Sequence, residues 1–427
     1  MVPAPPIGPP APFDTQRVDC AHADRCGGCP IIALAYGEQL SLKRGRVVQS
    51  VARYPALELV YTEPVASADP VTAYRTRAKL IVAPGPKVGL FAKGGGHQVV
   101  DIPTCRVLSP VLARVAEIVR ARATGDAPPV FAPYEPGGTG ALRAIDLREI
   151  RGPDGPRVLV TLVLQRARAP EIAELRAAAT SLIEELPEIA GVAVHFHDGE
   201  APQILGSETT PLVGSASMPD RLGASVHLAT FGSFVQAHRG QAERVHQMLI
   251  EGLGVARAAV QKRKVRVLDL YGGSGAIALA LGAAGADVHL VESFGPAVEQ
   301  ARAAARSQEI RLTGEHADAA TALRGLLERG EKFDAAVVNP PRRGMSALAR
   351  EWIARFDLTA LAYVSCDPDT LARDLDHLAR LGYSTASLRP LDMIPLTDEV
   401  ETVAILRKGS TPTPRVAYED DEILIVE

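Results

Sequence analysis

One cysteine near the carboxyl end of the chain, Cys366, has the surroundings expected of a nucleophile. It lies within Tyr-Val-Ser-Cys-Asp-Pro, directly after an apolar run that predicts a β-strand. In a doubly wound sheet, ligands bind at the carboxyl ends of such strands. The helix predicted to begin at Pro368 points its positive end back towards Cys366, which favours the thiolate. A buried structural cysteine is the alternative, and the neighbouring Asp367 and Pro368 make it the weaker interpretation.

The other four cysteines lie in the first quarter of the chain and could hold a metal centre. They are Cys20, Cys26, Cys29 and Cys105, and the first three have the spacing C-x5-C-x2-C. Four thiolates suit either a zinc ion or an iron–sulfur cluster by ligand count. Zinc usually takes paired C-x2-C elements, and only one such pair is present. Because the spacing also differs from the C-x3-C-x2-C of radical enzymes, we expect a structural centre.

A glycine-rich turn predicts a nucleotide-type cofactor site. Residues 268–275 (LDLYGGSG) indicate a strand that closes in a glycine turn and opens a helix, whose free N–H groups can face a ligand. Glu292 ends the next predicted strand, where a carboxylate can accept hydrogen bonds from ribose hydroxyls. The G-x-G-x-x-G pattern of dinucleotide-binding proteins is absent. Residues 337–344 (VVNPPRRG) resemble the corresponding segment of many S-adenosylmethionine-dependent methyltransferases, so a methyl donor is the better interpretation.

The elements that must position these residues follow two different patterns along the chain. Residues 58–212 predict short strands and two helices, in the order of a small mixed α+β domain. From about Ser225 strands and helices alternate, which predicts an α/β fold with an open, mostly parallel, doubly wound Rossmann-like sheet. The predicted division is a Pro-rich disordered lead-in at 1–14, a region containing the cysteine cluster at 15–224, a cofactor-binding domain at 225–408 and a tail at 409–427.

The composition bounds the class of protein. The hydrophobic fraction of 47% and charged fraction of 22% are those of an ordinary soluble protein. A net charge of −4 argues against a generally basic nucleic-acid-binding surface but allows a local basic groove. No segment is apolar and long enough to span a membrane, and the amino terminus lacks the features of a signal peptide. With few cysteines, these features predict a protein of the reducing cytoplasm, where clustered thiols favour metal over disulfides.

Five segments, taken in order, resemble the RNA uracil-5-methyltransferase family, and the four clustered cysteines resemble its iron–sulfur branch. The segments are 234–236, 268–275, 339–344, 363–374 and 393–403. The match covers roughly residues 18–408, and its most specific pieces are Ser-Cys-Asp-Pro and the cysteine set. The resemblance implies an S-adenosylmethionine-dependent methyltransferase domain at 225–408, preceded by a small α+β region that binds RNA and an iron–sulfur cluster. We also expect a monomer.

The resemblance implies a covalent mechanism. Uracil C5 is a poor nucleophile, and attack of the Cys366 thiolate on C6 would create an enolate that accepts the methyl group. Glu401 matches the family's base position, which removes the C5 proton before the thiol is eliminated. Asp398 and Glu399 compete for that role but are more consistent with solvated loop charges. The target base must first leave its stack, at a cost of a few kcal/mol.

The resemblance also assigns binding residues. It places the methyl donor against Gln236, Tyr271, Glu292, Asp318 and Asn339, and the target base and its phosphates near Phe234 and Arg342. It favours a [4Fe–4S] cluster over zinc on Cys20, Cys26, Cys29 and Cys105. The chain departs from the family pattern at Gly272, Ala276, Asn339, Asp367, Leu396 and Glu399. None of these departures removes the nucleophile or the base.

Basic residues suggest where RNA phosphates would lie. Arg75, Arg77 and Lys79 alternate along one predicted strand, share a face and are the best candidates for RNA contacts. A second basic cluster consists of Lys43, Arg44 and Arg46. Lys43 and Arg44 are predicted on the solvated face of the helix that follows the cysteine loop.

Three alternative functions stay open to different degrees. An amino-group methyltransferase would need an aromatic residue after Pro341, where Arg342 stands. An RNA cytosine-5 enzyme uses two cysteines, and Cys366 is the only cysteine of residues 225–408. A non-catalytic RNA-binding paralogue is allowed by the departures, although Cys366 and Glu401 are retained. The absence of a small RNA-binding barrel before Cys20 favours ribosomal RNA over tRNA as the substrate.

Overall fold

The computed structural model describes residues 15–124, 127–197 and 209–409 with their side chains, together with the backbone of two short strands, Tyr418–Glu419 and Glu422–Ile423. The predicted lead-in at 1–14 and the predicted tail beyond residue 409 otherwise lie outside the described residues. Two seven-stranded sheets organise the described part of the chain. Every helix in that part is too short or too polar to cross a lipid bilayer.

The first sheet is largely antiparallel and comes from the amino-terminal half. Its strands are β1 (Arg77–Ala83), β2 (Lys87–Phe91), β3 (Val99–Asp101), β4 (Leu142–Gly152), β5 (Gly155–Gln165), β6 (Ile189–His197) and β7 (Thr210–Gly214). They are arranged β3-β2-β1-β4-β5-β6-β7, and only β5 and β6 are parallel neighbours. Helices α2 (Pro110–Arg122) and α3 (Ile172–Glu185) close its apolar core.

The second sheet is mostly parallel and holds the motifs of interest. Its strands are β10 (Arg266–Leu270), β11 (Asp287–Glu292), β12 (Leu312–His316), β13 (Ala335–Val338), β14 (Ala360–Ser365), β15 (Tyr383–Leu391) and β16 (Glu401–Lys408). They are arranged β12-β11-β10-β13-β14-β16-β15, with β16 antiparallel to both of its neighbours. Strands β13 and β14 are buried along their whole length, as expected for strands covered on both faces.

Helices cover both faces of this second sheet, and a hairpin links it to the first. The helices are α4 (Arg239–Gly252), α5 (Val255–Val260), α6 (Ala276–Ala283), α7 (Gly295–Arg306), α8 (Ala319–Glu328), α9 (Ala347–Ile353) and α10 (Pro368–Arg380). They form two apolar cores, one on each face. The hairpin of β8 (Ser217–Leu222) and β9 (Ser225–Thr230) contacts β4 on one side and α6 and α7 on the other. The predicted Rossmann-like α/β fold is confirmed.

Helix α1 (Tyr36–Val51) joins the two halves. It follows the cysteine loop in sequence, yet Val47 and Val51 belong to the core of the second sheet, and the helix packs against α10. Lys43 on this helix was predicted to be solvated, which is wrong. It is fully buried, paired with Asp392 and donates a hydrogen bond to the Ile394 carbonyl at 3.1 Å.

Candidate functional site

The pairing of β14 with β16 brings Cys366 next to Glu401. The two strands are antiparallel with Ser365 opposite Thr402, so the next residues, Cys366 and Glu401, face each other where β14 ends. The turn after Cys366 is fixed because the Asp367 N–H donates to Ser365 Oγ at 3.1 Å. Asp367 Oδ1 then accepts from the Thr370 N–H at 2.9 Å and caps α10.

Burial governs the protonation of this pair. Glu401 is 5% exposed, and burial, reinforced by Glu399 and offset by Arg342, raises its pKa to about 7. Burial also raises the pKa of the Cys366 thiol, and repulsion from Glu401 raises it further. Arg342 offsets only part of this rise. We predicted that the helix end would favour the thiolate. The pKa of the thiol is instead shifted in the opposite direction, towards the protonated form. The free protein therefore holds a protonated thiol beside a carboxyl group with a pKa in the neutral range.

An ion pair stands at the entrance to this site. Arg342 Nη2 donates to Glu399 Oε1 at 2.8 Å, and the arginine side chain is 67% exposed. Glu399 was expected to be a solvated loop charge and is instead this arginine's partner. The sequence did not predict this pair, because it depends on the placement of β16 beside β14. Arg342 follows β13 and Glu399 precedes β16, and these strands flank β14 on its two sides.

A buried carboxylate fixes the loop that carries Arg342. Asp374 on α10 is fully buried, and its Oδ2 accepts from the Met345 N–H and the Tyr363 hydroxyl, each at 2.7 Å. Gly344 has φ 74°, and a Cβ there would lie 2.6 Å from Asp374 Oδ2. The position therefore requires glycine for both backbone conformation and space. Asp374 was not singled out from the sequence.

The glycine turn after β10 opens a cavity at the centre of the sheet edge. Gln236, Tyr271 and Asn339 line this cavity, as does the ring of Phe234. Gly275 has φ 86°, and a Cβ there would lie 2.7 Å from the Cβ of Ala301, so glycine allows α6 to approach α7 closely. Four of the residues assigned to the methyl donor or the target base thus share one cavity.

Glu292 and Asp318 flank the cavity at the ends of the neighbouring strands. Glu292 is the last residue of β11, and its two carboxylate oxygens accept from the Gly273 N–H at 3.1 Å and the Phe294 N–H at 2.8 Å. Asp318 caps α8 by accepting from the Ala320 N–H at 3.0 Å. Both carboxylates therefore lie at the same edge of the sheet as the glycine turn, as predicted for residues at the carboxyl ends of parallel strands.

The predicted RNA-contacting residues fall into two groups. Phe234 is 70% exposed although it lines the cavity, so its ring is available to a flat ligand. Arg77 is only 14% exposed in its side chain and pairs with Asp146 at 3.3 Å. It also donates to the Ser233 carbonyl at 2.8 Å, directly before Phe234. Its observed contacts are therefore internal, and they hold the turn that presents Phe234.

Four cysteine thiols surround one cavity beside the first sheet. Cys20, Cys26, Cys29 and Cys105 all line it, together with Arg75 and Lys79 among other residues. Its volume is about 220 Å³, whereas a single water needs only about 10–15 Å³ of such space. Within the described ranges, no group of three or more Cys, His, Asp or Glu side chains could hold a metal ion. The thiols thus share a space without forming a cage around a single ion.

Burial raises the pKa of two thiols of this cavity, Cys26 and Cys29. Burial, followed by repulsion from Cys105 and Cys26, raises the pKa of the Cys29 thiol to about 12. Burial likewise raises the pKa of Cys26, which accepts a hydrogen bond from the Gly28 N–H at 3.4 Å. Binding of a metal group would therefore have to displace protons from these thiols.

Comparison with known proteins identifies relatives over most of the chain. Residues 232–409 match the family described as tRNA (Uracil-5-)-methyltransferase. The chain is 32% identical over 393 residues to an uncharacterized RNA methyltransferase of Geobacter sulfurreducens, covering 91% of this chain and 77% of that protein. It is 31% identical over 399 residues to an uncharacterized RNA methyltransferase of Thermosynechococcus vestitus, covering 91% and 84%.

A solved structure shares the fold. It is Pyrococcus abyssi tRNA (uracil-54, C5)-methyltransferase in complex with S-adenosyl-L-homocysteine, with a TM-score of 0.68 and 22% identity. The match covers 89% of this chain and 86% of that chain. The predicted enzyme class is confirmed by the relatives, while the iron–sulfur branch stays a prediction. The chain belongs to the RNA uracil-5-methyltransferase family, whose members are S-adenosylmethionine-dependent enzymes.

Proposed function

We propose that this protein transfers a methyl group from S-adenosylmethionine to C5 of a uridine in RNA, through a covalent bond between Cys366 and C6. The observation that carries the proposal is the register of β14 and β16, which sets Cys366 against Glu401 at the carboxyl end of a parallel strand. A nucleophile and a base are the two groups that this chemistry needs from the protein.

Each residue of the pair has one role. The Cys366 thiol releases its proton to solvent, the resulting thiolate forms a bond with uracil C6, and the electron pair of the C5–C6 double bond shifts into an enolate. When bound, S-adenosylmethionine supplies the electrophilic methyl group that C5 accepts. Glu401 then takes the C5 proton, the C5–C6 double bond re-forms and the C6–Sγ bond breaks, which returns the thiolate. A carboxyl group with a pKa of about 7 suits this proton transfer near neutral pH.

The cavity after β10 is the proposed donor site. Gln236, Tyr271 and Asn339 line it, and Glu292 and Asp318 stand at its edge, where carboxylates can accept hydrogen bonds from ribose hydroxyls or the adenine amine. Asn339 is neutral where the family has Asp, and it keeps the capacity to hydrogen-bond.

The proposed RNA contacts begin at the same cavity. Phe234 offers an exposed ring on which an extruded base can stack. Arg342 offers an exposed guanidinium whose carboxylate partner a phosphate could replace. Arg75 and Lys79 are the proposed phosphate contacts beside the cysteine cavity, and Arg77 supports Phe234 from behind.

We propose a [4Fe–4S] cluster on Cys20, Cys26, Cys29 and Cys105. All four thiols line one cavity of about 220 Å³, and the resemblance to the iron–sulfur branch favours a cluster over a lone zinc ion. The cluster would link the cysteine loop to the segment that carries Cys105 and so brace the RNA-binding region. Anaerobically purified protein should show iron–sulfur absorbance in the visible range. Colourless protein with one equivalent of zinc would contradict this assignment.

We keep ribosomal RNA as the first candidate substrate and tRNA as the second. The resemblance to the iron–sulfur branch is the reason for placing ribosomal RNA first. The names of the matching family and of the Pyrococcus protein favour tRNA. We further propose a monomer that acts in the cytoplasm.

Mapping of 5-methyluridine by mass spectrometry tests both the function and the substrate. Ribosomal RNA and tRNA from a strain lacking this protein are compared with RNA from the same strain complemented by wild type or by Cys366→Ala. One uridine should lose its methyl group without the protein and regain it only with wild type. If neither RNA loses a methyl group, the uridine assignment is wrong, and if only tRNA does, the ribosomal assignment is wrong.

A further inference from the structure

The loop between β15 and β16 leads directly into the proposed catalytic base. This loop, residues 392–400, carries Glu399 and ends where β16 begins with Glu401. Leu396 lies in its middle, fully buried, with a left-handed φ of 69°. Residues with a Cβ rarely adopt this conformation, so surrounding contacts must hold Leu396 in place.

The side chain of Leu396 packs against the cysteine region. It belongs to a small apolar cluster with Ile32, Tyr36, Val71, Tyr74 and Val107, against which Cys20, Cys29 and Cys105 are packed. Leu396 is the only fully buried member of this cluster that comes from the second half of the described chain. The cysteine region and the loop before the base therefore share one core.

Backbone hydrogen bonds join the same two parts. The Ile31 N–H, two residues after Cys29, donates to the Leu396 carbonyl at 3.3 Å. The Leu396 N–H donates to Oε1 of the buried Gln39 at 3.1 Å, and the Tyr74 hydroxyl donates to the Pro395 carbonyl at 3.0 Å. Both polar backbone groups of Leu396 are thus satisfied by residues of the amino-terminal region.

We propose that the cysteine loop, residues 20–32, together with Gln39 and Tyr74, positions the base Glu401 by holding Leu396 and Pro395. The inference rests on the proposed function, in which Glu401 takes the C5 proton. Leu396 touches no reacting atom and is a positioning residue. A change in the four-thiol site is transmitted through this shared core to residues 392–400. Such a change therefore alters turnover as well as the folding of the cysteine region.

Tyr74→Phe tests the link with the smallest change. It removes one hydroxyl that bonds the Pro395 carbonyl and keeps the ring. Tyr383→Phe is the matched control, because this fully buried hydroxyl bonds the Phe356 carbonyl at 2.8 Å, away from the loop. Hydrogen exchange of residues 392–400, kcat and the Kd for RNA are measured for both variants and for wild type.

The expected result is specific to the loop. Tyr74→Phe should speed exchange in residues 392–400 and lower kcat by roughly threefold to tenfold, with the Kd for RNA unchanged. Tyr383→Phe should leave the exchange of this loop and kcat as in wild type. Equal effects of the two variants, or unchanged exchange with Tyr74→Phe, would overturn the inference.

Cys29→Ser extends the test to the thiol site itself. It should speed exchange of residues 394–397 in the same way, as should Leu396→Ala. Protection of this loop that survives Cys29→Ser would contradict the proposed transmission. If wild type methylates no uridine, the proposed function fails, yet the exchange measurements still decide whether the cysteine loop holds Leu396.

Discussion

At the scale of residues, the site depends on two groups whose pKa values burial raises. Glu401 and Cys366 each have a raised pKa, and the Arg342–Glu399 pair adjusts both values from the entrance. Sequence motifs and the family resemblance singled out the proposed nucleophile and base, and the register of β14 and β16 brings the two residues together. The direction of the thiol's pKa shift could not be read from the helix end alone, since burial and the facing carboxylate come from tertiary structure.

Glu401→Gln should abolish the acidic limb of the pH profile. The base must be ionised to accept the C5 proton, so wild-type kcat should fall as pH drops through about 7. The amide cannot accept this proton, and kcat should fall by roughly 10²–10⁴-fold at all pH values. Glu399→Gln is the control, because loss of its charge lowers the pKa of Glu401 and should move the acidic limb to lower pH. If the acidic limb of the pH profile is unchanged in both variants, the titrating group is not Glu401.

The same burial should cost stability. Glu401 has a pKa of 4.5 when free and about 7 when folded, so between these values the folded state binds more protons and stability falls as pH rises. The full penalty, about 3 kcal/mol, applies above pH 7. Glu401→Gln should therefore melt higher than wild type at pH 8, with the gap closing towards pH 4.5. A gap that does not vary with pH would contradict the raised pKa.

At the scale of elements, α10 and the loop after β13 form one unit. Asp374 accepts hydrogen bonds from the Met345 N–H and the Tyr363 hydroxyl. The Thr370 hydroxyl donates a hydrogen bond to the Arg342 carbonyl at 2.8 Å. The helix that follows Cys366, the proposed nucleophile, thereby fixes the backbone of Arg342.

Gly344→Ala should disrupt this unit. The new Cβ meets Asp374 at 2.6 Å in a backbone conformation with φ 74°. Gly330→Ala is a matched control, since it has φ 70° and open space around the added methyl group. The control should lose about 1–2 kcal/mol of stability from backbone strain and keep its activity, whereas Gly344→Ala should lose more stability and most of its kcat. Chemical denaturation and steady-state assays measure both effects, and equal behaviour of the two variants would contradict the clash.

Alternation of strands and helices predicted most of the second sheet from sequence. Strands β12 and β15 and helices α4, α5, α8 and α9 were not predicted, although the buried residues of α8 (Ala319, Ala322, Leu323 and Leu326) have helical spacing. The pairing of β16 with β14, which creates the site, could not be predicted either. It depends on an antiparallel strand inserted beside a parallel one, and local sequence does not encode that placement.

At the scale of the whole molecule, the chain crosses between its two halves at a buried polar junction. Lys43 and Asp392 are fully buried and paired, and the Tyr36 hydroxyl donates to Asp392 Oδ2 at 2.7 Å. Periodicity and charge placed Lys43 on a solvated face. A partner more than 300 residues away could not be inferred from α1 alone.

Lys43→Met should destabilise the protein strongly. It leaves Asp392 buried without its cation, which costs about 3–5 kcal/mol. Arg114→Met is the control, since its pair with Glu188 is partly exposed and worth about 0–1 kcal/mol. Chemical denaturation measures both losses. Equal small losses in the two variants would show that the buried pair of Lys43 and Asp392 contributes little to the stability of the fold.

Covalent trapping tests the central claim most directly. RNA containing 5-fluorouridine at the target position cannot lose a proton from C5, so the adduct with the nucleophile persists after methyl transfer. Wild type should form a covalent protein–RNA adduct that survives denaturation. The adduct should carry the added methyl group only when S-adenosylmethionine is present. Cys366→Ala should form none, and peptide mapping should place the bond on Cys366. An adduct that persists in Cys366→Ala would contradict the account.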